Sequence, residues 1–396
     1  MYKLKSLSLV LLLFIAATVL MGCNDKPSHG GYDPIGIELV TDEFESGDLK
    51  KILSGYHVRA ITFDSKENAW VGTFKQGVIK YNKEEALLYN STNSIIPEDF
   101  VVWDIAVDKN DNVWIAGGVV GGVGGLLKYD GKKFTLYNSQ NTPMPQDQVL
   151  AVEVDSKNNI WFTSCNYNKG GLVKYDGTQW TVYTAENSAL PYNTINSIAI
   201  DQSDNVWVAL YNHLIKVSNS GWEVYTCDDL GFTPYYLPPG KPSDIQNIKI
   251  DSRNRVVGTL YYAHYPYDEA FWLRDFSQQI VLFTFDGKET TTMAWTHFPF
   301  GIEKISIGHN DYVWCLAQIL VIPKQHAVWF GGEDAAIIDV AIDGFLPYIT
   351  EIKEAPDYRI WFATSDGILI SDNEKDMFNN AVGSRGNPII KSTLMN

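Results

Sequence analysis

Seven short aliphatic phrases recur along the chain, and each encloses two positions where polar side chains collect. The first of these columns reads Arg59, Trp103, Leu150, Asn196, Gln246, Glu303 and Thr350. The second reads Ala60, Asp104, Ala151, Ser197, Asn247, Lys304 and Glu351. Guanidinium, carboxylate and amide groups suit hydrogen bonding to a polar ligand. They suit equally a water-filled channel whose charges pair with one another. A second concentration is aromatic. Residues 227–244 carry Phe232, Tyr235 and Tyr236 among Pro234, Pro238 and Pro239, and residues 261–279 carry Tyr261, Tyr262, His264, Tyr265, Tyr267, Phe271, Trp272 and Phe276. Loops this long in a compact fold are usually functional or disordered, and so many aromatics oppose disorder. Such rings give large contact area at low entropy cost to a protein partner, and flat apolar faces to a sugar. Their alternative role is a satellite core that packs the loops onto the rim. The candidate ligand-binding residues are therefore Arg59, Trp103, Asp104, Asn196, Gln246, Glu303, Tyr235, Tyr236, Tyr262, Tyr265, Tyr267 and Trp272.

No residue set announces catalysis. The seven histidines, at 29, 57, 213, 264, 297, 309 and 326, form no paired motif. Cys165, Cys227 and Cys315 lie far apart without metal-ligand spacing and read as small buried apolar side chains. Residues 117–125 are glycine-rich, but no Gly-Lys-Ser/Thr follows, so they read as a hairpin and not as a phosphate loop. A carboxylate pair for glycoside hydrolysis is a matter of geometry, which sequence does not supply. No catalytic residue, metal or cofactor is assigned.

The elements that position these residues follow from the repeat, which is the first thing to seek in a chain of this kind. A phrase Asp-x-x-x-Asn-x-Trp begins at Asp64, Asp108, Asp155 and Asp201, and weaker copies begin at Asp251, Gly308 and Ala355. Six residues before each start stand Val58, Val102, Val149, Ile195, Ile245, Ile302 and Ile349; three before stand Ile61, Ile105, Val152, Ile198, Ile248, Ile305 and Ile352. Two aliphatic columns in all copies establish seven units. Unit 3 reads as strands at 149–155, 160–164, 171–175 and 179–184. Asp176-Gly177 in that unit, like Asp130-Gly131 and Asp286-Gly287, marks a tight hairpin. Four strands per repeated unit of this length predict an all-β fold, a seven-bladed β-propeller with four-stranded antiparallel blades. The recurrent Trp is then core between blades. Residues 36–41 resemble an outermost strand and are expected to close the ring by pairing with the sheet of 360–371. The first innermost strands and the long loops share one face, which is the expected ligand face.

The N-terminus sets the compartment. Lys3 and Lys5 precede an apolar run that ends in Leu20-Met21-Gly22-Cys23. A charged start and an apolar stretch too short to span a bilayer read as a secretory signal. Gly22 before Cys23 resembles a lipoprotein cleavage box. The expected organisation is a signal peptide at 1–22, a lipidated Cys23 opening a tether at 23–33, the propeller at 34–372 and a polar tail at 373–396. The chain has 31 Lys+Arg against 47 Asp+Glu, a net charge of -16. That opposes binding to nucleic acid or to anionic lipid surfaces. The expected partners are a glycan or an envelope protein, with membrane attachment through the lipid alone, on the periplasmic or outer surface of the outer membrane.

The phrases Tyr183-Thr-Ala-Glu-Asn-Ser-Ala-Leu-Pro191, Gly125-Leu-Leu-Lys-Tyr-Asp130 and Gly171-Leu-Val-Lys-Tyr-Asp176 resemble the two-component-regulator propeller repeat. The likeness covers units 1 to 4 and fades in units 5 to 7. It implies the propeller fold and a place among periplasmic sensor domains or free-standing lipoproteins. It brings no shared catalytic residues. No kinase or receiver region follows, so signalling of that kind is expected to need a partner. The repeat also resembles streptogramin-lyase propellers, which implies a lyase or hydrolase at the channel mouth as the alternative activity.

Overall fold

A computed structural model describes residues 35–37, 42–43, 49–119, 121–166, 169–232, 243–262, 279–296, 300–308, 311, 313–319, 325–331, 334–338 and 349–371. The leader, Cys23, the tether and the tail from 373 lie outside them, as do Tyr235, Tyr236, Tyr265, Tyr267 and Trp272. Among the described residues every regular element is a strand.

Three short strands come first: β1 (Ile35–Ile37), β2 (Asp42–Glu43) and β3 (Leu49–Ile52). Blade 1 holds β4 (Val58–Phe63), β5 (Ala69–Thr73), β6 (Val78–Tyr81) and β7 (Ala86–Tyr89). Blade 2 holds β8 (Val101–Val107), β9 (Val113–Gly118), β10 (Gly125–Tyr129) and β11 (Phe134–Tyr137). Blade 3 holds β12 (Val149–Val154), β13 (Ile160–Asn166), β14 (Lys169–Tyr175) and β15 (Trp180–Tyr183). Blade 4 holds β16 (Ser197–Ile200), β17 (Val206–Leu210), β18 (His213–Ser218) and β19 (Gly221–Thr226). Blade 5 holds β20 (Ser243–Ile250), β21 (Val256–Tyr262), β22 (Gln279–Phe285) and β23 (Thr290–Thr296). Blade 6 holds β24 (Phe300–Ile307), β25 (Val313–Ile319), β26 (Gln325–Gly331) and β27 (Asp334–Ile338). Blade 7 holds β28 (Ile349–Glu354), β29 (Ile360–Thr364) and β30 (Gly367–Ser371). Each blade is an antiparallel meander, to which β1 adds beside β7 and β3 beside β30. The innermost strands β4, β8, β12, β16, β20, β24 and β28 stand side by side in that order, and β28 returns to β4. Seven blades thus form a closed ring.

The repeated phrase builds the turn between the two inner strands of a blade. The Asp155 carboxylate accepts from the amides of Lys157 and Asn159, from the Asn159 side chain and from Trp161 Nε1 at 3.1 Å. Asp64, Asp108 and Asp201 repeat this set. The residue three after each start has left-handed φ in every unit: Glu67 62°, Asp111 59°, Asn158 69°, Asp204 61°, Asn254 63°, Asp311 60° and Tyr358 64°. A turn followed by a left-handed residue is a common hairpin closure, and its sevenfold recurrence supports the weak copies independently. In blade 5, Arg255 supplies Nε at 2.7 Å to Asp251 where other units use Asn and Trp.

The tryptophans are core, as the sequence predicts. Trp114 and Ala116 on blade 2 pack with Val149, Val152 and Phe162 on blade 3. Trp161 packs with Ile195, Ile198 and Val208 of blade 4, and Trp207 with Ile245 and Ile248 of blade 5. Burial therefore occurs between blades, and a lone blade leaves both faces in water. The Lys of the Gly-Leu-x-Lys-Tyr-Asp phrase pairs across the ladder with that Trp. Lys128 stands 5.1 Å above the Trp114 ring and Lys174 5.1 Å above Trp161. A side chain at Gly72 would meet Val102 of the next blade at 2.2 Å, which explains the small residue two positions after Trp70.

Closure differs from the sequence expectation in its segment. Gly36 and Ile37 do not pair with blade 7. Instead β1 adds to the outer edge of blade 1, with Gly36 opposite Leu87, and residues 38–41 lie outside the described set. The strand that completes blade 7 is β3, where Lys51 stands opposite Leu369 and Ile52 opposite Ile368. The reason is burial. Ile52 and Leu53 enter the apolar seam with Ile368 and Ile370, and Lys51 Nζ reaches Asp366 at 2.6 Å.

Candidate functional site

The two polar columns sit where the innermost strands lose register. Ladder shifts occur between Val58 and Ala60, Val102 and Asp104, Val149 and Val152, Gln246 and Ile248, Ile302 and Lys304, and Ile349 and Glu351. Aliphatic columns three residues apart cannot both face the core of a strand with period two. An extra residue restores the phase, and such bulges turn side chains out of the pleat. Arg59, Trp103, Glu303 and Thr350 occupy the extra position.

The bulged side chains then divide into structural and available groups. The Arg59 guanidinium lies 4.4 Å over the Trp103 ring. Asp104 accepts from its neighbour Ile105 and, at 3.0 Å, from the amide of Val152 on the next blade. Ser197 and Glu351 do the same for Ile248 at 3.2 Å and Ile61 at 2.8 Å. These acceptors satisfy amides that the bulges free from the ladder. Thr350 Oγ1 donates to Val58 O at 2.5 Å. Among the channel charges, Lys249 lies 3.5 Å from Glu153 and Lys304 3.9 Å from Glu351. Burial opposes the Lys249 cation, but Glu153, Asp104 and Glu351 outweigh it and raise its pKa. Burial pushes the Glu153 carboxyl up. The channel charges are thus largely paired with each other. Glu303 is placed by its backbone on β24 only.

Asn196 and Gln246 come together on a carboxylate that the sequence did not single out. Asn196 Nδ2 donates to Asp244 Oδ1 at 2.6 Å, and Gln246 Nε2 donates to Asp244 Oδ2 at 2.9 Å. The backbones of Asp244 and Tyr211 form a bridge between blades 4 and 5. Tyr211 opens the tight turn between β17 and β18, where Asn212 takes φ 58°. The Tyr211 ring meets Tyr192, from the loop before β16, at 6.0 Å and 87°. His213 lies 5.9 Å from Tyr192 and donates Nδ1–H to Tyr211 O at 2.9 Å. Tyr192 and Tyr211 are 47% and 42% exposed. The strand ends Ser243 of β20 and Tyr262 of β21, which flank the aromatic segments 233–242 and 263–278 outside the described residues, pair with each other beside this cluster. A separate polar groove of about 390 Å³ opens at blade 1, lined by Tyr56, Lys75, Gln76, Asn90, Glu98 and Asp99.

Tyr192, Tyr211, His213 and Asp244 escaped the sequence reading because each stands alone in an ordinary turn phrase. The one available signal was Tyr211-Asn212 at a two-residue hairpin. All three assigned cysteines are buried, as expected. Among the described residues, no three His, Cys, Asp or Glu side chains are grouped to hold a metal ion, and no helix is long and apolar enough to cross a membrane.

No family description matches the sequence, and a search of curated proteins finds no match. Solved structures do match. The extracellular domain of the hybrid two-component system BT4673 from B. thetaiotaomicron superposes with TM-score 0.59 at 14% identity, over 86% of this chain and 40% of that one. This chain is a β-propeller. Its structural neighbours are propellers of the two-component-regulator type, so the resemblance seen in the phrases holds at the level of fold. The propeller spans about 40% of the length of that regulator domain. Streptogramin B lyase matches with TM-score 0.57 at 14% identity, covering 85% of this chain and 97% of the lyase. YCF48 bound to D1 peptide matches with TM-score 0.55 at 10% identity, covering 86% and 98%.

Proposed function

We propose that this chain is a lipid-anchored protein of the cell envelope that binds a glycan or a partner protein on the face where its innermost strands begin. The observation that carries the reading is the exposed Tyr192–Tyr211 pair beside Asp244, at the root of two long aromatic loops. Large exposed rings at a rigid strand terminus suit recognition. The neighbouring extracellular domains and the peptide-bound YCF48 agree with a binding role outside the cytoplasm. An envelope lyase or hydrolase at the channel mouth is the weaker reading. It needs a free base there, whereas Asp104 and Glu351 are spent on backbone amides and Glu153 on Lys249.

The test uses Tyr265→Ala and Trp272→Ala with envelope extract and a glycan array. Each anchor is worth about 2 kcal/mol, or roughly thirtyfold in affinity. Weaker binding with a normal melting point supports the reading, and normal binding in both variants overturns it. For the anchor, Cys23→Ser is expected to release the protein from the membrane fraction, and intact mass identifies the acylated Cys23.

A further inference from the structure

We propose that Tyr192, Tyr211 and Asp244 form a docking site for a cationic side chain, arginine or lysine, presented by a partner protein. This rests on the reading of the strand-start face as the binding face, and specifies what that face takes.

The shape is set by backbone. Tyr192 comes from the connection between blades 3 and 4, Tyr211 from the turn inside blade 4, and Asp244 from the first inner strand of blade 5. Three connections therefore converge on one point. The rings stand at 87°, so one makes a floor and the other a wall. The backbone of Tyr211 is held by the bridge to Asp244 and by the His213 Nδ1–H bond. Two rings at right angles offer their negative faces to one volume, as in sites that hold ammonium and guanidinium groups.

The hydrogen-bonding character selects among ligands. Asn196 turns its amide hydrogens inward, to Asp244 Oδ1 and to Ile245 O at 2.9 Å. Gln246 gives an amide hydrogen to Asp244 Oδ2. Asn196 and Gln246 thus turn amide donors onto Asp244 and Ile245 and not toward a ligand, and the rings add hydroxyls that accept as well as donate. A sugar hydroxyl asks for donors as well as acceptors, whereas an ammonium or guanidinium asks for acceptors alone. Charge agrees. Asp244 is bound by neutral amides and makes no ion pair among the described residues. The nearby loops add Glu186, which bonds Asn193 beside Tyr192, and Asp229, which feels His213. The whole chain is acidic at -16. A single cation between the rings answers both the rings and the Asp244 carboxylate.

Ligand-observed NMR with the full chain tests this, using N-acetyl-arginine methylamide as probe, the N-acetyl-citrulline counterpart as its neutral isostere, and methyl glucoside. The arginine probe is expected to bind, the citrulline probe about tenfold more weakly, and the glucoside not at all. Tyr211→Ala and Asp244→Asn are each expected to weaken the arginine probe about fivefold. Glu84→Gln, an exposed carboxylate on blade 1, is expected to change nothing, which separates the site from general attraction to an acidic surface. Melting curves identify any variant that has lost its fold, and Tyr211→Phe then serves in place of Tyr211→Ala with retained binding expected. Equal binding of citrulline, binding of the glucoside in place of arginine, or indifference to both site variants overturns the proposal. If those outcomes accompany an envelope ligand that still depends on Tyr265 and Trp272, the docking site fails and the binding function stands.

Discussion

Ser156 donates twice to Asp204 on the next blade, from its backbone amide at 2.7 Å and from its hydroxyl at 2.5 Å. Ser65 grips Asp111 and Ser252 grips Asp311 in the same way. At two other junctions the amide bond goes to an asparagine, from Lys109 to Asn158 and from Gln202 to Asn254, and the side chain of each donor reaches a backbone carbonyl instead, that of Ser156 or Ser252. The acceptor of the amide in each case is the left-handed turn residue, which explains why Asp or Asn recurs there. These clasps fasten the turn ends of blades that pack elsewhere through apolar seams and through the bonds at the bulges.

The first prediction concerns that clasp. Asp204→Ala removes the acceptor and strains a left-handed position, and is expected to cost about 1–2 kcal/mol. Asp204→Asn keeps an acceptor and the backbone preference, and is expected to cost less than half of that. The Ser156 hydroxyl and amide hold the Asp204 carboxyl below its usual pKa, and Ser65 does so for Asp111. A depressed folded pKa gives stability that is complete above the unfolded value, about 3.9. It is lost as pH falls through the folded value. Thermal melts between pH 6 and pH 3 should show this loss, with a shallower slope in Asp204→Asn. An identical slope would remove the clasp as the acid-sensitive element.

The second prediction contrasts two tryptophans. Trp161 Nε1 donates to Asp155, but Ala355 stands in the equivalent place of blade 7 and Trp361 Nε1 is buried without a partner among the described residues. A cavity of about 10 Å³ lies there between Ala355, Trp361, Phe63 and Tyr81. Trp161→Phe breaks a charged hydrogen bond and should cost about 2 kcal/mol more than Trp361→Phe. Ala355→Asp restores the acceptor beside Arg359, the residue type that serves Asp251 in blade 5. It should stabilise by about 1 kcal/mol, raising the melting temperature by about 2 °C. A lower melting temperature for Ala355→Asp would show that the cavity cannot take the carboxylate.

The ring was legible because its signals are local and repeated: an Asp that gathers its own turn, a Trp that wedges between blades, and two aliphatic columns. The bulge was also written in the sequence. Val58 and Ile61 are three apart, as are Val102 and Ile105, and no unbroken strand buries both. The polar columns marked residues that lie at the bulges, but composition alone does not say which are spent. Asp104 looks like a ligand group and is an acceptor for Val152, whereas Asp244 looks ordinary and gathers Asn196 and Gln246. That distinction depends on a partner 48 residues away in each case. The closing strand was misplaced for a related reason. Residues 36–41 match an outer strand by pattern, but which blade edge a short strand joins depends on loop reach and on what it buries.

The third prediction follows from that correction. If β3 alone completes blade 7, a chain that lacks everything through residue 42 keeps the closure. Such a truncation removes β1 from the edge of blade 1 and β2 from the outside of β3, both added to sheets already four strands wide. It is expected to stay monomeric and to lose only a few degrees of melting temperature. Ile52→Asp is the opposite case. Ile52 is fully buried in the seam with Ile368, Ile370 and Val71. An unpaired carboxylate there should cost more than about 3 kcal/mol and free the edge of β30. An exposed edge pairs with other chains, so this variant should also elute as oligomers in size exclusion. The seam between blades 7 and 1 lacks the serine clasp. Pro356 stands where Ser156 stands in blade 3 and has no amide hydrogen to offer. Lys83 bridges the junction instead, to Glu67 at 3.8 Å and Asp357 at 3.5 Å, in exposed positions where ion pairs contribute little. The reverse ranking, with the truncation unfolding the protein and Ile52→Asp tolerated, would return the closing role to residues 36–41.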